Sequence, residues 1–285
     1  QPQSSMSVID QHTGYVKALI GGRGEKTASL TLNRATDTTR QPGSTFKILA
    51  AYSAALDAGG LTLASVQDDA PYTYAGANGK SVSNYDKRYR GFTTLREAIT
   101  DSINIVTVKT LAQAGVSLGW QYVQEYGFTT VDSRDMNEAL ALGGITQGVS
   151  NLELTAAYAA IANQGTYIKP KFYTKILDHD GNVLIDNTTP ESHTVIKDTT
   201  AWLLTSAMED VMTSGTGTSA YFGSSMAQAG KSGTTTSSRD ALFAGYTPYY
   251  TCAVWGGYDD NAMQKGSDTN YPKRIWKAVM KRIHE

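Results

Sequence analysis

Strand-forming stretches lie at both ends of this sequence, and helix-forming stretches fill its middle. A chain ordered this way packs most simply as one sheet assembled from both termini and covered by helices, with a helical insertion carrying the centre. Residues 4–9 and 15–20 are apolar-rich and β-prone, and Gln11-His12-Thr13-Gly14 between them reads as the turn of an opening hairpin. Met226–Lys231, Ala241–Tyr246 and Tyr249–Trp255 read as three more strands, joined by Thr/Ser-rich and Thr247-Pro248 turns. The spacing of Ile275, Val279 and Ile283 predicts a closing helix over 274–283. At 285 residues the chain suits one large domain or two intimate subdomains.

In the middle, Gln41-Pro42-Gly43 breaks the chain before Ser44, and strong helix formers run from Ser44 to Ala58. Phe46, Ile48, Leu49, Tyr52 and Leu56 are apolar, so Ser44 is expected to open a long, largely buried helix. Thr94-x-x-Glu97 and Ser150-x-x-Glu153 are capping boxes. The first opens a short helix. The second opens the Ala-rich helix Asn151–Ala162, which Asn163-Gln164-Gly165 ends. Residues 171–186 read as a hairpin around His179-Asp180-Gly181-Asn182, and Asp198 as the cap of a helix over 199–212. The expected division is a sheet subdomain from about 1–43 and 226–285 and a helical subdomain from about 44–225.

Lys plus Arg total 25 against 26 Asp plus Glu, a balance that gives no basic face for nucleic acid or an anionic membrane. No segment approaches the roughly 20 apolar residues of a membrane span. The opening Gln1-Pro2-Gln3-Ser4-Ser5 has no basic or apolar leader pattern and no initiator Met, which suggests a processed or excised fragment. Cys252 is the only cysteine and sits in the apolar run Thr251–Trp255, as a core residue would. Gly21–Thr27 imitates a phosphate loop, but Gly24 does not directly precede Lys26, and a flexible turn is expected. His12, His179, His193 and His284 show no metal-ligand spacing, so neither a metal nor another cofactor is expected.

Three short motifs carry chemistry. In Ser44-Thr45-Phe46-Lys47 a hydroxyl and an amine sit at i and i+3, on one face of a helix, at its N-terminus. A serine needs a base to take its proton. A lysine serves at neutral pH only if its pKa falls by roughly three units from ~10.4, about 4 kcal/mol. Burial and a second cation both act in that direction. Alone, Ser-x-x-Lys is expected roughly once by chance in such a chain, but its place directly after Pro-Gly, at a helix start, favours the catalytic reading. Ser102-Ile103-Asn104 can point a proton-relaying hydroxyl and an amide into one cleft, although either residue could simply cap the next helix. Lys231-Ser232-Gly233-Thr234 ends a predicted strand. A fixed cation beside hydroxyls suits a carboxylate, Gly233 would let a substrate backbone approach, and Lys231 would be the second cation.

In this order the three motifs resemble those of the transpeptidase domain of penicillin-binding proteins, most closely the bifunctional class A type. The resemblance runs nearly end to end. It includes Asn33-Arg34-Ala35, Arg40–Lys47, Ala141-Leu142-Gly143-Gly144, Gly148–Leu154, Lys231–Thr235, Gly245–Pro248 and Val254–Tyr258. It implies the penicillin-binding protein/serine β-lactamase fold, an α/β (α+β) arrangement of a mainly antiparallel sheet flanked by helices, with an all-helical subdomain. It implies Ser44 as nucleophile, Lys47 as general base, and Ser102 with Lys231 as the proton path to the leaving D-alanine. Asn104, Ser232, Gly233, Thr234 and Thr236 would bind substrate, and the N–H groups of Ser44 and Thr234 would form the oxyanion hole. Position 232 is Ser where the family more often has Thr; both keep the hydroxyl.

The implied partners are peptidoglycan stem peptides, as D-Ala-D-Ala donor and amine acceptor, together with β-lactams and other cell-wall synthesis proteins. The implied location is the outer face of the bacterial cytoplasmic membrane, with the membrane reached only through an N-terminal anchor. A serine β-lactamase shares the motifs but must hydrolyse its acyl-enzyme; class A β-lactamases carry a Glu-x-x-Leu-Asn segment for this that the sequence lacks, and Glu138 and Glu153 lie in other contexts. A D,D-carboxypeptidase differs only in using water as acceptor, and a β-lactam sensor would acylate but cross-link nothing.

Overall fold

The structure is a computed structural model that describes residues 1–75 and 79–285. It opens with the hairpin β1 (Gln3–Ile9) and β2 (Val16–Ile20). The middle begins with α1 (Ser53–Asp57), the short strands β3 (Val66–Asp69), β4 (Tyr72–Thr73), β5 (Ser81–Val82) and β6 (Gly91–Thr94), and the helices α2 (Leu95–Thr100), α3 (Asn104–Ala114), α4 (Val116–Glu125) and α5 (Asn151–Ala162). It continues through β7 (Thr166–Ile168), β8 (Lys175–Leu177), β9 (Val183–Asp186), β10 (Ser192–Thr194) and α6 (Asp198–Thr213). The chain closes with β11 (Ala229–Thr234), β12 (Asp240–Tyr246), β13 (Thr251–Gly257) and α7 (Tyr271–Ile283).

Five strands form one antiparallel sheet in the order β11-β12-β13-β1-β2. β1 lies beside β13 with Ser5 opposite Trp255, so the two ends of the chain close a single sheet. Side chains alternate between its faces. Met6, Val8, Phe243, Cys252 and Val254 pack against Trp276 and Met280 of α7. Leu242, Ala244, Ala253 and Trp255 on the other face join the main core with α5, α6 and the Ser44 segment. Cys252 is buried, as its apolar neighbours predict.

Three expectations need revision. The middle is not purely helical: besides the hairpin expected at 171–186, which is β8 paired with β9, β3 pairs with β6, β4 with β5 and β7 with β10. The strand expected at Met226–Lys231 lies at Ala229–Thr234, because pairing with β12 runs on to Thr234 opposite Ala241 and outweighs the turn-like Ser-Gly-Thr composition. The segment after Pro42 is not a regular α-helix. It begins as a 3-10 turn, Gly43–Thr45, passes through a π-helical stretch, Lys47–Tyr52, and becomes α-helical only in α1. Every residue from Phe46 to Ala55 is buried, so packing sets the winding there and intrinsic propensity is only a weak prior. Ser53 reinforces the wide turn, its hydroxyl donating to Ile48 O at 2.9 Å.

Candidate active site

The turn that carries Ser44 is held from several sides. Arg40 exchanges two backbone hydrogen bonds of 2.9 Å with Val149, and Gln41 Oε1 accepts from Ile145 N at 3.0 Å. Tyr158 Oη donates to Thr45 O at 2.7 Å. Gly43 has φ +53°, and a Cβ there would lie 2.9 Å from Thr234 O. A Cβ on Gly143 would lie 2.5 Å from Gly43 O. These two glycines let three backbones stack, with the Ser44 turn sandwiched between the Gly143-Gly144 loop and the edge strand β11. The Ser44 side chain lies half-exposed on the wall of a cavity of about 510 Å³ and hydrogen-bonds to none of the described residues. Asn104, Thr234 and Thr236 line the same cavity. An apolar groove of about 540 Å³ between β1 and α7 contains none of these residues.

Lys47 is fully buried beneath Ser44. Its Nζ contacts Ser102 O at 2.7 Å, Asn104 Oδ1 at 2.6 Å and Ser102 Oγ at 3.1 Å. The Asn104 amide orientation is fixed by its other end, since Nδ2 donates to Ser83 O at 2.7 Å. Ser102 O and Asn104 Oδ1 can only accept. A neutral amine has two N–H groups, so these two acceptors take both, and the lone pair is left for a hydroxyl. Burial holds the Lys47 pKa well below the ordinary lysine value, and the charge of Lys231 lowers it further.

Lys231 lies on the other side of the Ser102 hydroxyl, to which its Nζ donates at 2.8 Å; it also donates to Ser232 O at 3.1 Å. It too has no exposed surface, and burial, with Lys273 nearby, lowers its pKa to about 7. Ser102 therefore stands between two amines, and a proton can pass along Lys231–Ser102–Lys47. Among the described residues no carboxylate pairs with Lys47, Lys231 or Lys273.

Ser102 and Asn104 do not cap α3 with their own side chains. Ser102 has φ +56°, and Ile103 occupies the cap position without a side-chain bond. The missing acceptor is Asn84, a residue the sequence reading did not find. Its Oδ1 accepts from Asn104 N at 3.0 Å and Ile105 N at 3.2 Å, while its Nδ2 donates to the buried Asp69 at 2.7 Å. This tie fixes the start of α3 and, with it, the Asn104 contact to Lys47.

On β11, Thr235 N–H donates to Asp240 O at 3.0 Å. Backbone groups alternate along an antiparallel edge strand, so the Thr234 N–H points off the sheet, toward the Ser44 turn. Gly233 also has a packing place: a Cβ there would meet Pro42 O at 2.7 Å and Thr45 Cγ2 at 2.9 Å, so its bareness lets β11 close onto the Ser44 turn. The Ser232 hydroxyl donates to Thr216 Oγ1 at 2.8 Å and is not on the cavity wall.

No group of His, Cys, Asp and Glu among the described residues could hold a metal ion. His284 is half-buried against Phe222, with Nε2 2.9 Å from Thr247 Oγ1; its imidazole completes the packing under α7. No helix of the described residues is long and apolar enough to cross a membrane.

Residues 5–284 match the model of the penicillin-binding protein transpeptidase domain. Penicillin-binding protein 1A of Clostridium botulinum is 35% identical over 296 residues, covering 99% of this chain and 35% of that protein. Penicillin-binding protein 1F of Bacillus subtilis is 38% identical over 291 residues, covering 99% and 39%. The chain thus spans little more than a third of the length of these curated relatives. Among solved structures, penicillin-binding protein 1A from Haemophilus influenzae superposes with a TM-score of 0.84 at 27% identity, over 98% of this chain and 47% of that one. The PonA1 protein from Mycobacterium tuberculosis in complex with penicillin V gives 0.83 at 26% identity, over 98% and 77%. With a family match from end to end and relatives of this similarity, the chain belongs to the penicillin-binding protein transpeptidase domain family.

Proposed function

We propose that this chain is the D,D-transpeptidase unit of a longer class A penicillin-binding protein, and that it cross-links peptidoglycan stem peptides through an acyl-enzyme on Ser44. The observation that carries the assignment is the fully buried Lys47 amine, 2.7 Å from Ser102 O and 2.6 Å from Asn104 Oδ1, one turn after a Ser44 hydroxyl that is unbonded and open to a cavity. As Oγ attacks the penultimate D-alanine carbonyl of a D-Ala-D-Ala donor, its proton passes to the Lys47 lone pair. The Ser44 and Thr234 N–H groups receive the oxyanion, a contribution worth about 2.7–4 kcal/mol per donor in comparable sites. Collapse breaks the peptide bond. The departing D-alanine amine takes a proton from the Ser102 hydroxyl, which is resupplied by the two lysines. The amine of a second stem peptide then attacks the ester and releases Ser44.

Asn104 and Thr236, on the cavity wall, hold the donor, and Ser232 with Thr234 receives its terminal carboxylate. Ser232 can do so once its hydroxyl turns from Thr216. A β-lactam acylates the same serine. We place the longer protein at the outer face of the bacterial cytoplasmic membrane, where its substrate is assembled, working with other cell-wall synthesis proteins.

Rapid release of a bound β-lactam would need a group placed to activate water against the acyl-enzyme, and no glutamate has that place among the described residues. Glu138 is held by Tyr72 Oη and Ala75 N at 2.9 Å each, and Glu153 caps α5. Intact-mass spectrometry after benzylpenicillin, followed over time, tests the assignment. A long-lived adduct on the wild type, absent from a folded Ser44→Ala variant, is expected. Labelling of that variant would remove Ser44 as nucleophile, and rapid loss of the adduct would make the protein a β-lactamase. Cross-linked product that depends on an added acceptor amine separates a transpeptidase from a carboxypeptidase or a sensor.

A further inference from the structure

Thr216 follows α6, far from every motif, yet it joins three parts of the site. Its N–H donates to Thr100 O at 3.3 Å, two residues before Ser102. Its Oγ1 accepts from Ser232 Oγ at 2.8 Å, and its carbonyl accepts from Lys273 Nζ of α7 at 3.0 Å. Among the described residues the Thr216 hydroxyl has no acceptor for its own proton, and Lys273, half-buried, has no carboxylate partner. Partly burying a cation without a counter-ion is unfavourable, so an anionic partner from outside is the natural complement. Ser232 and Thr234 share one face of β11, and Thr234 reaches the cavity beside Ser44. A carboxylate seated on that face would meet the Thr234, Ser232 and Thr216 hydroxyls in sequence, with the Lys273 ammonium behind them. Lys231 cannot fill this place alone, because its ammonium is turned inward to Ser102 and the Ser232 carbonyl.

We propose that Thr216 and Lys273 complete the subsite for the terminal carboxylate of the acyl donor, and so help determine the preference for donors that end in a free carboxylate. The inference rests on Ser44 acting as proposed, and the experiment separates the two. Two thioesters with the same scissile bond serve as probes: N-benzoyl-D-alanyl-thioglycolate, with a free carboxylate, and its methyl ester. Thiolate release gives kcat/KM for each. The wild type should favour the acid about 100-fold. Thr216→Val and Lys273→Gln should each cut that preference fivefold or more, chiefly through a higher KM for the acid, with a clearly smaller loss on the ester. Lys273→Arg should restore most of the preference. Equal losses on acid and ester would show a merely structural role and overturn the proposal, as would an unchanged preference in both folded variants or a wild type indifferent to the carboxylate. Thiolate release undiminished in Ser44→Ala would overturn the catalytic assignment itself.

Discussion

Replacing Lys231 by Gln removes its charge and leaves a polar side chain one bond shorter. Lys47 Nζ and Lys231 Nζ lie 3.1 Å and 2.8 Å from the same Ser102 oxygen, so the two nitrogens are at most about 6 Å apart. At an effective dielectric constant near 20, two unit charges at that distance repel by about 2.8 kcal/mol, enough to displace a titration by about two pH units. The sign follows from the chemistry. The Lys231 charge disfavours protonation of Lys47, so its loss makes Lys47 hold its proton to higher pH and depletes the neutral base. Lys231 itself loses its charge above a pKa of about 7, so wild type and variant differ in this respect mainly below that pH. The acid limb of the acylation profile should therefore move up by one to two pH units. At pH 6 the rate should fall about 10- to 100-fold beyond a constant offset from lost ligand contacts, and above pH 8 only the offset should remain. Stopped-flow acylation by a chromogenic cephalosporin, at saturating ligand from pH 5.5 to 9.5, separates the two components. An acid limb that stays in place or moves down would refute the account of Lys47 as a base kept neutral with the help of its neighbour.

The same lysines make stability depend on pH. Their folded pKa values are lowered, so the unfolded chain binds more protons and stability rises as pH climbs from the folded pKa toward the unfolded value near 10.4. Between pH 6.5 and 8 Lys231 should add about 1 kcal/mol to the free energy of unfolding, measured by urea titration, and Lys47 should add to the same upward slope. A flat curve would contradict their burial as ionisable amines, and Lys231→Met should remove its share of the slope. Gly43→Ala tests the stacked backbones. The left-handed conformation costs about 1–2 kcal/mol for a residue with a Cβ, and the added methyl also presses on Thr234 O. Acylation should drop at least tenfold as the two oxyanion-hole amides are forced apart. Gly24→Ala, at φ +90° with nothing within 4 Å, should carry the strain and leave acylation unchanged; equal effects on acylation would refute the packing argument.

Local chemistry was legible in most places where a few consecutive residues contain it, although Asp198, read as a cap, is the first residue of α6 and Lys197 holds the cap position. Thr94 with Glu97 and Ser150 with Glu153 form the capping boxes their spacing predicts, because each box is complete within four residues. The Ser44, Ser102 and Lys231 motifs could be recognised for the same reason. What they do for one another could not be read, because Asn84 and Thr216 enter the site only through tertiary contacts and look like ordinary loop residues in the sequence. Gly233 shows the same limit: its place in a motif suggested a ligand, but not that its missing side chain also seats the Ser44 turn.

The deciding property of the site is of this tertiary kind. The chain has 26 acidic residues, and a single carboxylate within hydrogen-bond range of Lys47 would favour its charged form and end its use as a base. The fold gives that amine a carbonyl, an amide oxygen, a hydroxyl and a second amine, and among the described residues no carboxylate. Residue identities supply a lysine three positions after a serine, but its basicity depends on which groups the fold keeps away from it.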